Sequence, residues 1–176
     1  NIFPRSVSVG AKFGTVMALV QDGLGETHEI EVTTFRSESD YVDGRWPTNV
    51  EFVGEVDKDL GRRDFTWNAM SIDIGSLQPD GTDTVLEVEI HDPFGGLNDI
   101  EVKVVRAVGT PIERFREDGL RAFKACRMAS QLGFDIEPDT FNAIAESVPA
   151  AAQAYMERIR DEFMKTLLRS PKPSIG

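Results

Sequence analysis

The chain has 176 residues, a formal net charge of −11 and 28% charged positions, which is enough for one large domain or two small ones. This acidity argues against a general phosphate-binding surface, because nucleic acids are held mainly by Lys and Arg, but it leaves room for a local basic patch. One cysteine excludes a disulfide framework and a cysteine-rich zinc site, and two isolated histidines do not favour a histidine metal centre. No apolar run has membrane-spanning length and no signal-peptide pattern begins the chain, so we expect a soluble, cytoplasmic protein.

Strand patterns dominate the first hundred residues. Residues 14–20 are apolar and β-branched, and residues 29–35 begin with alternating polar and apolar side chains. Gly23 and Gly25 lie between these two segments, so the pattern predicts a hairpin. Residues 85–90 alternate again and predict a further strand.

Helical patterns follow after residue 110. Pro111 can begin a helix, residues 117–132 have helical spacing, and Gly133 is a suitable stop. Residues 139–147 and 155–168 are further candidate helices. The sequence therefore predicts an α+β part followed by an all-helical part.

The charge changes at the same place. Residues 1–100 carry seven basic and nineteen acidic side chains, whereas residues 101–176 carry twelve basic and eleven acidic ones. The asymmetry suggests two surfaces with different partners, although a solvated acidic face would also produce it. We expect two domains, 1–100 and 101–176.

The densest group of candidate binding residues comprises Arg62, Arg63, Asp64 and Asn68. Two adjacent guanidinium groups offer planar, bidentate donors that suit phosphate oxygens or the edge of a nucleotide. The alternative is that both arginines form surface ion pairs with a nearby carboxylate, Asp57, Asp59 or Asp64.

A second group begins at Glu117. On a helix Asp118 and Arg121 share a face, as do Glu117, Arg121 and Lys124. A paired carboxylate and guanidinium can read a base edge, because the acid accepts from an exocyclic amine and the arginine donates to a ring nitrogen or carbonyl. Cytosine and adenine both present that combination, whereas guanine and uracil invert it. Ordinary surface salt bridges would also explain the pattern.

Three further features of the sequence are less specific for a function. Residues 92–96 contain Pro and Gly-Gly and predict a turn or hinge, without the spacing of a dinucleotide fold or P-loop. Cys126 lies among apolar helical residues, so we expect it in the core. Carboxylate pairs one residue apart could bind magnesium, although an acidic chain contains such pairs by chance: Glu29/Glu31, Asp57/Asp59 and Glu87/Glu89.

Taken in order, the motifs resemble the family of class II tRNA nucleotidyltransferases (CCA-adding enzymes) and bacterial poly(A) polymerases. The resemblance covers nearly the whole chain, and the collinear series makes it specific. It rests on residues 10–16, 31–36, 43–45, 62–70, 92–96, 117–121 and 157–163.

The resemblance implies a polymerase-β-like nucleotidyltransferase head, with a mainly antiparallel sheet and helices, followed by an all-helical neck. It also implies an enzyme that adds CCA, or its terminal A, to tRNA 3′ ends from CTP and ATP, with Mg²⁺ and no nucleic-acid template. The alternatives are a bacterial poly(A) polymerase and a noncatalytic module that binds nucleotide or RNA.

The resemblance also assigns roles to residues. Glu31 matches a catalytic, metal-binding carboxylate, and Asp118 and Arg121 match the protein template that reads the base. The loop Asp43, Gly44 and Arg45 matches a flexible loop associated with A addition, and residues 92–96 match the hinge between head and neck. The remaining nucleotide-binding positions are Arg62, Arg63, Asp64, Asn68, Lys124 and Arg127.

The chain departs from the family pattern in three ways. The family's first motif, which carries an Asp-x-Asp metal pair, would precede residue 10 and is not in this sequence. Since the chain also begins at Asn1 and ends straight after a helical pattern, we expect a piece of a longer protein, inactive by itself. Trp67 replaces an aliphatic residue, and Lys124 replaces an arginine, which exchanges a planar fork for a point charge.

Overall fold

The computed structural model describes residues 5–7, 14–42, 46–76, 88–151 and 156–171. The strands are β1 (Ser6–Val7), β2 (Thr15–Gln21), β3 (Thr27–Thr33), β4 (Arg36–Val42), β5 (Trp46–Phe52), β6 (Ser71–Ile72), β7 (Ile90–His91), β8 (Val104–Val105) and β9 (Asp135–Ile136). The α-helices are α1 (Val56–Gly61), α2 (Gly96–Glu101), α3 (Pro111–Glu117), α4 (Leu120–Leu132), α5 (Pro138–Ala151) and α6 (Met156–Arg169). Strand pairing is antiparallel except between β8 and β9, so the α+β class is confirmed.

The predicted hairpin is present. Strand β2 pairs antiparallel with β3, from Thr15 opposite Thr33 to Gln21 opposite Thr27. Gly25 has φ = 82°, a left-handed conformation that glycine adopts without the steric cost of a Cβ. The carboxylate of Asp22 closes the turn by accepting hydrogen bonds from the backbone N–H of Leu24 and of Glu26, both at 2.9 Å.

A second antiparallel pair follows the hairpin. Strands β4 and β5 pair from Arg36 opposite Phe52 to Val42 opposite Trp46. The predicted flexible loop, Asp43, Gly44 and Arg45, lies outside the described residues, as do residues 77–87, which contain the first half of the strand expected at 85–90. Of the second half, only Ile90 lies in a strand, β7.

The main hydrophobic core joins the segment after α1 to the helices. Phe65 and Phe115 have no exposed surface, and buried alanines of α4 and α5 pack in the same cluster. Trp67 packs against the cluster, with its ring centroid 5.6 Å from that of Phe65 and 5.8 Å from that of Phe134. The segment from Phe65 to Trp67 is therefore packed against the helical part of the chain.

Buried polar contacts strengthen this connection. Thr66 donates its hydroxyl hydrogen to Asp99 Oδ2 at 2.7 Å, and both groups are buried. Arg106 Nε lies 3.1 Å from each carboxylate oxygen of Asp99. The backbone N–H of Val108 donates to the carbonyl of Asp64 at 3.1 Å. The segment that begins at Asp64 is thus held by backbone and side-chain hydrogen bonds as well as by packing.

Two helix boundaries lie where the sequence predicted them, and one predicted helix is interrupted. Pro111 occupies the first turn of α3, where its missing N–H is not needed, and Gly133 ends α4 with φ = 67°. The continuous helix predicted from Glu117 is wrong. Asp118 is extended, with φ = −142° and ψ = 104°, and separates α3 from α4.

The prediction for Cys126 is also wrong, since the residue is exposed. Ala122 and Ala125 form the buried face of α4, and each helical residue is rotated about 100° from the one before it, which turns Cys126 away from that face. Across the part of the chain that the structure describes, no helix is both long and apolar enough to cross a membrane.

Candidate functional site

An open cleft of about 620 Å³ lies where the turn after α1 meets the start of α4 and the middle of α6. Five of its lining side chains are cationic and three are carboxylates, so its lining has a net charge of +2 in a chain of −11. The cleft is therefore the local basic patch that the composition left possible. Its lining residues are Arg62, Arg63, Asp64, Asn68, Asp118, Leu120, Arg121, Lys124, Arg158 and Glu162.

Arg62 and Arg63 line the cleft while both pair with one buried carboxylate. Arg62 Nη2 lies 2.7 Å from Asp59 Oδ1, and Arg63 Nη2 lies 3.3 Å from Asp59 Oδ2. Burial raises the pKa of Asp59, but the hydrogen bond and charge of Arg62 outweigh it, so the pKa is lowered. The ion-pair interpretation therefore applies to both arginines, although Asp59 is a buried partner rather than a surface one. Nucleotide binding by Arg62 and Arg63 stays a prediction.

Asp64 is the most completely bonded carboxylate of the cleft. Its Oδ1 accepts hydrogen bonds from the backbone N–H of Phe65 at 2.9 Å and from Asn68 Nδ2 at 3.0 Å. Its Oδ2 lies 2.5 Å from Lys124 Nζ. Burial raises the pKa of Asp64, but the charge and hydrogen bond of Lys124 and the hydrogen bond from Asn68 lower it by more than that. The pKa is therefore below its ordinary value and the group stays a carboxylate.

Asp118 and Arg121 both line the cleft, but their side chains do not pair with each other. Asp118 Oδ2 accepts from Arg158 Nη2 at 3.1 Å, and its Oδ1 accepts from the backbone N–H of Leu120 at 3.0 Å. Arg121 Nη1 lies 2.7 Å from Glu117 Oε2, across the break between α3 and α4. Each group of the expected template is therefore oriented by a separate partner.

Arg121 is further restrained by backbone carbonyls. Its Nη1 donates to the carbonyl of Arg114 at 3.2 Å and its Nη2 to the carbonyl of Arg62 at 3.0 Å. Only 14% of its side chain is exposed. A guanidinium held by a carboxylate and two carbonyls presents its remaining donors in one fixed direction.

Helix α6 supplies two lining residues that the sequence analysis did not single out, Arg158 and Glu162. They are four residues apart and so lie on one face of the helix. Two signals were available, this spacing of opposite charges and the motif at residues 157–163, but neither shows that Arg158 meets Asp118, forty residues away in the sequence.

Arg127 is not among the lining residues of the cleft. Its Nε lies 2.5 Å from Glu162 Oε2, and its Nη1 lies 2.6 Å from Gln131 Oε1. Glu162 is buried and also bonds to Lys165. Burial raises the pKa of Glu162, but hydrogen bonds from Lys165 and Arg127 lower it overall. In this structure Arg127 contacts the cleft through Glu162.

Glu31 lies apart from these residues. It is an exposed residue of β3, opposite Met17 of β2, and it is not among the described residues that line the cleft. The pair Asp57 and Asp59 does not form a metal site either, because Asp57 lies 2.5 Å from His91 Nε2 and Asp59 bonds to arginines.

A carboxylate oxygen such as that of Glu31 is the kind of ligand that Mg²⁺ prefers. Within the described ranges, the groups close enough to hold one ion together are Asp22, Glu26 and His28, at the exposed turn of the hairpin. Glu31 is not one of them, so among the described residues it does not belong to a group of three or more metal ligands.

Comparison with known proteins identifies the family. The model of the poly A polymerase head domain matches residues 1–106. This chain belongs to that family. A second model, described as a probable RNA- and SrmB-binding site of polymerase A, matches residues 133–176. The resemblance that the motifs indicated is confirmed.

Similar curated proteins carry one name. The CCA-adding enzyme of Streptococcus mutans is 46% identical over 171 residues, which is 97% of this chain and 38% of that protein. The CCA-adding enzyme of Bacillus subtilis is 45% identical over 167 residues, 95% of this chain and again 38% of that protein. This chain thus spans 38% of the length of these relatives.

Solved structures agree with the fold. A crystal structure of the Bacillus stearothermophilus CCA-adding enzyme in complex with CTP has 38% identity and a TM-score of 0.76, over 97% of this chain and 36% of that one. A tRNA nucleotidyltransferase complexed with a primer tRNA and an incoming ATP analogue has 27% identity and a TM-score of 0.66, over 93% and 40%. The expected class, a polymerase head followed by helices, is confirmed.

Proposed function

We propose that this protein takes part in template-independent addition of CCA, or of its terminal A, to tRNA 3′ ends from CTP and ATP. Membership of the poly A polymerase head family supports a nucleotidyl transfer reaction. The relatives that match nearly the whole chain are named CCA-adding enzymes, and similar structures are described with CTP and with a primer tRNA. A cytoplasmic location belongs to the same proposal, since tRNA and both nucleotides are available there.

The observation that carries the proposal is the composition of the cleft. It combines cationic side chains with a separate carboxylate and guanidinium, all within one cavity of about 620 Å³. A nucleoside triphosphate has the same two parts, a strongly anionic chain and a base edge with donors and acceptors. The positive lining would attract the triphosphate, while fixed polar groups would select the base.

We assign the triphosphate and ribose to the residues after α1 and to Lys124. Arg63 and Lys124 have the more accessible cationic groups, with 45% and 39% of their side chains exposed. Asn68 and Asp64 are hydrogen bonded to each other and lie beside them. Arg62 completes the group from a less exposed position, where its bond to Asp59 sets its direction.

We assign base selection to Asp118 and Arg121. The carboxylate would accept a hydrogen bond from the exocyclic amine of cytosine or adenine, and the guanidinium would donate to the neighbouring ring atom. Their separate partners, Arg158 and Glu117, keep both groups in place before a base arrives. Such preorganisation favours selection, because a mismatched base leaves oriented polar groups unpaired.

We further propose that the reaction uses Mg²⁺ and that Glu31 is one of its ligands. When bound, the ion would favour ionisation of the tRNA 3′-hydroxyl and stabilise the departing pyrophosphate. Substituting Glu31→Gln should lower nucleotide incorporation at least tenfold with little change in stability, because the residue is exposed on β3.

The decisive experiment supplies a tRNA that ends just before CCA, with CTP and ATP separately and together, to the intact protein in Mg²⁺ buffer. We expect incorporation of CMP and then AMP, or of AMP alone onto tRNA ending in CC. Extension of unrelated RNA with many A residues would replace the proposal by a poly(A) polymerase. Nucleotide binding without incorporation would replace it by a noncatalytic module.

Base selection has its own test. We expect Asp118→Ala and Arg121→Ala to reduce discrimination of CTP and ATP against GTP and UTP by about tenfold or more, since each removes one side of the base-edge contact. Binding of inorganic tripolyphosphate should change less than twofold. Unchanged discrimination in both variants, with normal thermal unfolding, would refute the assigned role.

A further inference from the structure

Both carboxylate oxygens of Asp64 already accept hydrogen bonds in this structure. Its Oδ1 accepts two hydrogen bonds, from Phe65 N–H and Asn68 Nδ2, and its Oδ2 faces the ammonium group of Lys124 at 2.5 Å. Only 13% of the side chain is exposed. Because so little of the group is exposed, a ribose hydroxyl that is to donate to Asp64 would approach Oδ2, which has one partner, at the place where Lys124 now lies.

Lys124 is the partner that can leave. Its ammonium ends a flexible four-carbon stem, and 39% of its side chain is exposed to the cleft. The guanidinium of Arg121, by contrast, is held by Glu117 and by two backbone carbonyls. Asp64 itself is fixed by its own backbone, because its carbonyl accepts from Val108 N–H.

Leaving is unfavourable unless both groups find new partners. A carboxylate that is largely removed from water is destabilised when its cation departs. The cation finds a better partner only if a more strongly charged anion is present. A triphosphate in the cleft is such an anion, and a ribose hydroxyl from the same nucleotide would replace the lost donor to Asp64.

We propose that Lys124 couples recognition of the triphosphate to recognition of the ribose. In the free protein Lys124 pairs with Asp64. When phosphate oxygens bind the ammonium, Oδ2 of Asp64 becomes available and accepts a hydrogen bond from a ribose hydroxyl. This inference rests on the proposed function, because it requires a nucleoside triphosphate as the ligand of the cleft.

The identity of the residue matters for this coupling. An arginine at this position would have five N–H donors and could hold a carboxylate and a phosphate at the same time. A lysine is a point charge that exchanges one partner for the other. The exchange is therefore a specific consequence of Lys124, and Lys124→Arg should weaken it.

The test measures the dissociation constant of cytidine for the intact protein, with and without saturating inorganic tripolyphosphate. We expect cytidine to bind about tenfold more tightly when tripolyphosphate is present, within the usual range of coupling between sites. With Lys124→Met this gain should disappear, and with Lys124→Arg it should fall below about threefold. With 2′,3′-dideoxycytidine, which lacks the 2′- and 3′-hydroxyl groups, the original protein should show no gain.

Two controls make the result specific. Sulfate at equal ionic strength corrects for general screening. Lys58→Met removes a lysine from an exposed ion pair with Glu55, away from the cleft, and should retain the full gain. Thermal unfolding of each variant checks that it folds, and Lys124→Arg keeps the charge if the methionine variant does not fold.

Two results would overturn the inference. One is equal cytidine affinity with and without tripolyphosphate in the original protein, and the other is a gain that persists in Lys124→Met. Both differ from failure of the proposed function, which is measured separately as the absence of CMP and AMP incorporation into tRNA.

Discussion

The hairpin of β2 and β3 and the cleft contain acidic side chains in opposite environments. On the hairpin Glu29 and Glu31 are exposed, and they contribute charge without a defined direction. In the cleft Asp64 and Glu162 are largely buried and each bonds to a cation. The difference shows why a net charge of −11 did not describe the site. A buried carboxylate must be paired, and its pairing gathers cations around the cleft.

Apolar side chains also differ in exposure between the hairpin and the main core. Ile30 and Val32 of β3 are 46% and 43% exposed, whereas Phe65 and Phe115 beside the cleft have no exposed surface. The segment that carries Asp64 is thus supported by the main core, and the hairpin that carries Glu31 is supported mainly by its own strand pairing.

The largest expected effect tests the packing side of this comparison. Phe115→Ala should lower the free energy of unfolding by about 3 to 5 kcal/mol, because it leaves a cavity in the main core. The same substitution at Phe35, which follows β3 and is 43% exposed, should cost about 1 kcal/mol. Urea unfolding measures both values. Equal losses would mean that the two regions do not differ in packing.

The next prediction tests the difference between paired carboxylates of the cleft and exposed carboxylates of the hairpin. Glu162→Gln should lower the free energy of unfolding by about 2 to 3 kcal/mol, since it leaves Arg127 buried without its carboxylate. The matched change Glu29→Gln on the hairpin should cost less than about 0.5 kcal/mol. Chemical denaturation of both variants at pH 7 gives the comparison, which fails if the hairpin variant is the less stable one.

The smallest effect concerns acid stability. The pKa is lowered for four carboxyl groups that are buried or half-buried: Asp59, Asp64, Glu137 and Glu162. Between the ordinary carboxyl pKa of about 4 and the lowered folded value, the unfolded chain binds more protons than the folded one, so stability is full above about pH 5 and falls as the pH falls.

Urea unfolding between pH 3 and pH 7 measures this decline. Asp64→Asn removes one of the four groups and should make the decline shallower, although the variant starts from a lower stability. Stability that rises on acidification would show that pairing does not lower these pKa values.

Local features were predictable because they depend on neighbours in the chain. Alternation and Gly25 predicted the hairpin, since a strand has a two-residue period and a tight turn needs a positive φ. Pro111 and Gly133 predicted where α3 begins and α4 ends for equally local reasons. The motifs also predicted the family that the comparisons then identified.

Contacts across the fold were not predictable in this way. Helical spacing does not reveal that Asp118 is extended. It contains no information about the ion pair that Asp118 forms with Arg158, forty residues later in the chain. It does not reveal which face of α4 is buried, so Cys126 was misplaced. The role of Arg127 also depends on Glu162, a residue of another helix.

The sequence by itself determined the class of fold, the family and the residue types suited to a nucleotide, because these follow from local periodicity and from motifs in a fixed order. Only the tertiary structure decided which charges face each other. Ion pairs such as Asp64 with Lys124 and Asp118 with Arg158 join residues 60 and 40 positions apart. Their formation depends on how α4 and α6 pack, since a charge contact requires a few ångströms of proximity that spacing along the chain does not specify.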